Sequence, residues 1–203
     1  CREPEAELRL LSPELLSPGL LRLGGSPLDS IVYALSPAAE AACARGKNPG
    51  AGGGPTTGWA CSQVANWGNV PGTSAYGCLT RRRWADILAF ASDVGLKMVF
   101  GLNACYGREG ADSPMDFSNL QTLLDLTVTL PEARLAALLG FEFGNEIEHT
   151  PEEHFKGGVS WRQWAKDANT LSDLINATWK KAGLAPLPVV GPDQGFVAEG
   201  VET

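Results

Sequence analysis

Two hydrophobic rhythms alternate along the chain. Short apolar or period-two runs occur at Leu20-Leu21-Arg22-Leu23, at Leu96 to Asn103, at Leu139 to Gly144 and at Pro188 to Asp193. These lengths and patterns predict strands; the second run is nearly all apolar, as a strand buried on both faces is. Between them the rhythm changes to helical spacing. Trp84, Ile87, Leu88 and Ala91 predict a helix from Thr80 to Val94, with Thr80 as its cap and Gly95 as its stop. Ser118-Asn119-Leu120-Gln121 and Ser160-Trp161-Arg162-Gln163 have capping-box spacing. They predict helices running toward Pro131 and to Lys181, the latter ended by Gly183. Leu8, Leu10, Leu11, Leu15 and Leu16, interrupted by Pro13 and Pro18, predict a further helix and turn before the first strand.

Strand–helix repetition argues a parallel sheet with crossover connections. Each predicted strand ends in a small or polar group: Gly24-Gly25, Asn103, Asn145-Glu146 and Asp193. In a parallel sheet such ends share one edge, so these groups converge. A closed eight-stranded barrel needs roughly 200–250 residues. About four parallel strands with flanking helices in 203 residues therefore predict a partial (β/α)8 TIM barrel of the α/β class. It is expected to fill residues 1–203 as one domain, with a glycine-rich loop insertion at about 44–77. Gly50-Ala51-Gly52-Gly53-Gly54-Pro55 in that insertion lacks the Gly-Lys-Ser/Thr ending of a phosphate-binding loop and reads as a flexible connection.

Composition narrows the function classes. The chain is 44% hydrophobic and 19% charged, ordinary for a chain that buries a core. Net charge is −7 with pI near 4.9, and Arg81-Arg82-Arg83 is the longest basic run. That is no nucleic-acid footprint. No apolar run reaches the roughly 18 residues of a membrane span. The five cysteines include no Cys-x-x-Cys pair, so a zinc ribbon is not supported. In an oxidising compartment, one or two disulfides are expected. Cys43–Cys61 is the cheapest loop to close, and the odd count leaves a thiol over. Glu148-His149 and Glu152-Glu153-His154 read as a solvated loop rather than a metal site, and Asn176-Ala177-Thr178 is a glycosylation sequon inside a predicted helix. Trp161, Trp164 and Trp179 are spaced to pack one helix face.

The candidate chemistry sits at Leu139-Gly140-Phe141-Glu142-Phe143-Gly144-Asn145-Glu146, a strand closing on an amide and a carboxyl. Carboxyl groups at the C-terminal ends of barrel strands are placed for proton transfer. Four blocks in order carry a resemblance: Leu21-Arg22-Leu23-Gly24-Gly25-Ser26-Pro27-Leu28-Asp29 with Ile31-Val32-Tyr33; Gly77-Cys78-Leu79 with Arg83-Trp84; Val99 to Ala104 with Gly107-Arg108; and Phe141 to Glu146. Val190-Gly191-Pro192-Asp193 is a weaker fifth. The ordered set resembles the heparanase family, glycoside hydrolase family 79, and its plant-type members most.

The resemblance implies a retaining β-glucuronidase, endo- or exo-acting, with Glu146 as general acid/base and Asn145 binding the sugar 2-position. Asn103, Asp29, Ser26 and Asp193 are implied as further substrate-binding residues; Ser26 stands where the family usually has Thr. A retaining reaction needs a carboxylic acid that protonates the leaving oxygen and a second carboxylate as nucleophile. Apolar neighbours such as Phe143 are expected around the acid. The nucleophile is expected outside this chain, so residues 1–203 alone are expected to be inactive. No cofactor and no metal are implied. The expected partner is a glucuronide-containing polysaccharide or glycoside, without nucleic acid. The implied setting is secreted or extracellular, or lysosomal or vacuolar, and peripheral membrane association is compatible with it. The two other readings are a non-catalytic carbohydrate-binding barrel and an unrelated doubly wound α/β small-molecule binding protein. Glu142 shares strand parity with Glu146, and Arg22 is the one charge in its strand, so the two are expected to form a buried ion pair beneath the site.

Overall fold

The structure, a computed structural model, describes residues 19–25, 28, 31–44, 78–104, 113–146 and 159–191, with residues 42–44 as backbone alone. Four parallel strands form one sheet: β1 (Gly19–Leu23), β4 (Leu96–Leu102), β5 (Leu138–Phe143) and β6 (Val189–Val190), adjacent in that order. Their spatial order follows their order in the chain, as in a barrel wall. A doubly wound sheet would reverse at a switch point, and among the described residues there is none. The sheet is thus part of a (β/α) barrel. A second, two-stranded parallel sheet pairs β2 (Val32–Ala34) with β3 (Cys78–Thr80). Residues 26–35 read from sequence as a loop with a short extended piece, and β2 is that piece; β3 and its pairing are not found, because three residues are too few to show a rhythm.

The helices are α1 (Pro37–Ala44), α2 (Arg81–Asp93), α3 (Ser118–Thr127), the single turn α4 (Glu132–Leu135) and α5 (Trp161–Lys181). Helix α2 is capped as its sequence predicts: Thr80 Oγ1 accepts from the Arg83 N–H at 3.2 Å. Gly95 follows with φ 70°, a left-handed stop. Ser160 likewise caps α5, accepting from the Gln163 N–H at 3.3 Å. The Gln163 amide does not close the box; it donates to Asp167 Oδ1 at 3.0 Å inside the helix. The expected box at Ser118 does not form. Phe117 is the cap residue and has no side-chain bond, while Asp116 Oδ1 accepts from the Ser118 N–H at 2.8 Å. Asp116 takes the Ser118 N–H that the Gln121 amide would have served in a box, and the Gln121 N–H goes to the Phe117 carbonyl at 2.7 Å.

One face of the sheet carries the core. Leu21, Leu23, Met98, Phe100, Leu102, Phe141 and Phe143 point toward the helices, and the buried set is continuous with Trp84, Leu88, Leu120, Leu123 and Leu124. Trp84 packs on Phe100 with ring centroids 4.6 Å apart, and Trp179 meets Phe141 edge-on at 5.8 Å. Helix α5 presents a strict i+4 stripe, Gln163, Asp167, Leu171, Ile175 and Trp179, all buried. Trp179 and Trp164 pack as expected, but Trp161 is 41% exposed at the helix start. Asn176 of the sequon is exposed on the outer side of α5.

The other face is nearly bare. Gly24, Gly101 and Gly140 occupy it, beside Arg22, Val99 and Glu142. A bulge at Leu139 lets Met98 pair with Leu138 and Val99 with Gly140. The extra residue is 42% exposed, and the pairing stays in step above it. At Gly140 an added Cβ would lie 2.8 Å from the Pro188 carbonyl oxygen.

Two stability predictions follow from packing. The buried Trp84 indole donates to Thr127 Oγ1 at 3.0 Å, and that hydroxyl donates to the Leu123 carbonyl at 2.6 Å. Thr127→Val strands the indole N–H and is expected to cost about 1–3 kcal/mol in urea denaturation. Gly140→Ala forces β5 from β6 and is expected to cost about 1–3 kcal/mol in the same measurement.

Candidate active site

The C-terminal ends of β1, β4 and β5 meet along one edge. Leu102 pairs with Phe143, and the Gly144 N–H donates to the Leu102 carbonyl at 3.1 Å, so Asn103 and Gly144 stand level where the strands stop. Asn145 is 7% exposed and Asn103 1% exposed, while Glu146 is partly exposed at the rim. The chain turns sharply there. Gly144 has φ 77°, and Glu146 has φ 47°, the one non-glycine residue at positive φ among the described residues. A left-handed conformation at a residue with a Cβ costs roughly 1–2 kcal/mol. Strain of this kind gathers where a side chain is aimed for a purpose.

Asn145 is held from the sheet's bare face. Arg22 of β1 donates from Nη2 to Asn145 Oδ1 at 2.8 Å. Its Nε donates to Glu142 Oε1 at 3.1 Å and Oε2 at 3.0 Å, and Nη2 lies 2.9 Å from the same Oε2. The expected ion pair therefore forms, with Glu142 7% exposed. It is not sealed: the Arg22 side chain keeps 45% of its exposure. The residues lie on β1 and β5 with β4 between, two strand spacings or about 10 Å apart. Gly101 of β4 is the register partner of Glu142. The clearance comes from Gly24: a Cβ there would stand 2.7 Å from Glu142 Oε2 and 3.1 Å from the guanidinium carbon.

Phe143 does not line the cleft. It shares the parity of Phe141, so its ring turns to the helices, 6.0 Å from Phe117 and 6.1 Å from Trp164. Its carbonyl accepts from the Trp164 indole N–H at 2.9 Å, which pins the strand end two residues before Asn145. Sequence reasoning missed Tyr33. The Asn103 N–H donates to its hydroxyl at 3.0 Å, and Asn119 of α3 clamps its backbone, accepting from the Tyr33 N–H at 2.9 Å and donating to its carbonyl at 3.0 Å. Tyr33 is 2% exposed; its place in the Ile31-Val32-Tyr33 run gave no sign of a link to β4.

Of the residues expected at the site, Asn103, Asn145 and Glu146 lie at neighbouring strand ends. Ser26, Asp29 and Asp193 lie outside the described residues, as do the acidic-histidine loop at 147–158 and the glycine-rich stretch at 45–77. Among the described residues no group of three or more His, Cys, Asp and Glu could hold a metal ion, and no helix is long and apolar enough to cross a membrane. Cys78 is disulfide-bonded.

A barrel wall of parallel strands whose third strand, β5, ends in an amide and a carboxyl on a strained turn defines a class, the (β/α)-barrel proteins that keep their chemistry on strand ends. Over residues 57–201 the chain matches the N-terminal domain of glycosyl hydrolase family 79, and it belongs to that family. It is 27% identical over 184 residues to heparanase-like protein 2 of Arabidopsis thaliana, covering 88% of this chain and 29% of the relative. It is 31% identical over 129 residues to heparanase-like protein 3 of the same plant, covering 59% and 22%. Baicalin-beta-D-glucuronidase of Scutellaria baicalensis is 28% identical over 143 residues, covering 62% and 26%. The chain thus spans under a third of the length of these relatives. Membership in the family overturns the reading of an unrelated doubly wound binding protein.

The Arg22–Glu142 pair can be measured by a double-mutant cycle. Removing one partner alone leaves a charge of the other on a partly buried face. Arg22→Met and Glu142→Met are each expected to destabilise more than the double variant does relative to its parts. With Arg22 half exposed, the coupling is expected near 1 kcal/mol by chemical denaturation. Coupling indistinguishable from zero would show the pair to be mere proximity.

Proposed function

We propose that this chain forms the acid/base-bearing part of a retaining glycosidase that hydrolyses a β-linked glucuronide, in a polysaccharide or a smaller glycoside. The observation that carries the reading is the Asn145-Glu146 end of β5, with its amide gripped by Arg22 and its carboxyl on a left-handed turn. Family membership supports glycoside hydrolysis, and the named activity of the Scutellaria relative supports a glucuronide.

In this mechanism Glu146 gives its proton to the departing glycosidic oxygen, while a second carboxylate attacks the anomeric carbon from the opposite face. A covalent glycosyl intermediate forms. Glu146, now a carboxylate, takes a proton from water, and the hydroxide displaces the enzyme carboxylate. Asn145 holds the sugar at its 2-position, and Asn103 stands at the next strand end. Glu142, the other carboxylate of β5, is engaged by Arg22 and faces the sheet, so it does not serve as nucleophile. The reading assigns that role outside residues 1–203 and leaves those residues without turnover when isolated. Ser26, Asp29 and Asp193 complete the sugar-binding set by resemblance. An extracytosolic setting, secreted or lysosomal or vacuolar, fits the disulfide at Cys78, which an oxidising compartment would preserve.

The test is Glu146→Ala in the full-length protein, assayed with aryl β-glucuronides. Loss of the general acid is expected to slow glycosides of poor leaving groups by about 10²–10⁴-fold. Those of good leaving groups should react to form the intermediate and then stall, and added azide should restore turnover with a β-glucuronosyl azide product. Unchanged turnover in Glu146→Ala removes Glu146 from the mechanism. Saturable glucuronide binding without hydrolysis by the parent would favour a non-catalytic carbohydrate-binding barrel instead.

A further inference from the structure

The grip on Asn145 decides more than where its side chain lies. An Asn amide has an acceptor end and a donor end, and the two look alike in shape. Arg22 settles which is which. The guanidinium has donors and no acceptor, and it stays charged at any working pH. With Nη2 2.8 Å from the amide, the reverse orientation would set an NH2 donor against an NH2 donor. Oδ1 must therefore face Arg22, and Nδ2 with its two hydrogens must lie on the other side. Arg22 cannot turn away, because Glu142 holds both Nε and Nη2 at 2.9–3.1 Å. Nη2 hydrogen-bonds Asn145 and lies in ion-pair contact with Glu142 Oε2, while Nε hydrogen-bonds the Glu142 carboxylate.

We propose that Arg22, braced by Glu142, is a positioning residue that makes Asn145 an obligate hydrogen-bond donor at the site, and so makes the site selective for a sugar whose 2-position carries an accepting oxygen. The proposal rests on the reading of Asn145 given above and adds to it the device that enforces its polarity. Arg22 acts through Asn145 and touches no reacting atom. Gly24 belongs to the device as the absent side chain that leaves room for the Glu142 carboxylate and the guanidinium.

The experiment compares an aryl β-D-glucuronide with its 2-deoxy analogue, as the ratio of kcat/KM values, in the full-length protein. The parent is expected to prefer the 2-hydroxy sugar by about tenfold or more, the worth of one well-placed hydrogen bond. Arg22→Lys keeps a charge beside Glu142 but is a single point donor on a flexible stem. It is expected to bring the ratio close to one, mostly by slowing the 2-hydroxy substrate. The double variant Arg22→Met/Glu142→Met removes both charges together, so the fold is spared an unpaired one, and it should collapse the ratio in the same way. A purely structural role for Arg22 would slow both substrates alike and leave the ratio where it was. That result overturns the proposal. Asn145→Ala separates the two levels of the argument. If Asn145→Ala collapses the ratio while Arg22→Lys preserves it, Asn145 reads the 2-position and Arg22 does not orient it. If Asn145→Ala preserves the parent ratio, or the parent itself shows none, the role of Asn145 fails and this inference fails with it.

Discussion

The site depends on one cation crossing a strand. Arg22 starts on β1 and finds its partners on β5, and everything between has to make room. A side chain at position 24 would strike the Glu142 carboxylate, and one at position 101 would press on the Gly24 backbone. Register matters as much. Glu142 is level with Gly101, and a one-residue slip of β5 would turn Glu142 to the helices and Phe141 to the open face. That slip would bury an unpaired carboxylate in an apolar layer, at a cost of several kcal/mol. The ion pair and the aromatic packing of Phe141 and Phe143 therefore specify the same register, from opposite faces.

The strand end is fixed from both sides as well. On the helix side the Trp164 indole binds the Phe143 carbonyl, and Tyr33 takes the Asn103 N–H. On the open side Arg22 binds the Asn145 amide. Between these anchors the backbone passes through Gly144 and a left-handed Glu146. A turn with such φ values would relax if its flanks were loose. Anchors on either side of the sheet remove that freedom, and the aim of the Glu146 side chain is then set by the backbone and not by its own contacts alone.

Much of this was legible in the residues. The four main strands and the two long helices follow directly from the two periods, because each buries a full apolar face. Arg22 announced itself as the one charge in a leucine-rich strand, and Glu142 as a charge at inward parity, so their pairing could be reasoned before any coordinates. The contact with Asn145 could not, since it depends on the reach of a guanidinium past an intervening strand. Phe143 is near Glu146 in sequence but not in the cleft, because period-two alternation sends its ring the other way. The Ser118 cap failed for a different reason. Ser118 and Asp116 compete for the same helix start, and spacing alone does not rank them. The β2–β3 pair carries too few residues for any rhythm, and its strongest tie, the Asn119 clamp on Tyr33, joins residues 86 positions apart.

The two faces of the sheet divide the work. The helix-facing side is filled by Met98, Phe100, Leu102, Phe141 and Phe143, all at or below 1% exposure. The other side holds glycines and one ion pair, and Leu20 there is 69% exposed. Apolar burial is non-directional and tolerates many arrangements, so it stabilises the wall without specifying what stands at its edge. Hydrogen bonds to a charged group are directional, and each of the contacts Arg22 makes fixes an atom and an orientation. Placing the core on one face and the directional contacts on the other lets this sequence vary its packing without moving Asn145. The glycines of that face serve different ends: Gly24 makes room for the Arg22–Glu142 pair, while Gly140 makes room for the β5–β6 pairing.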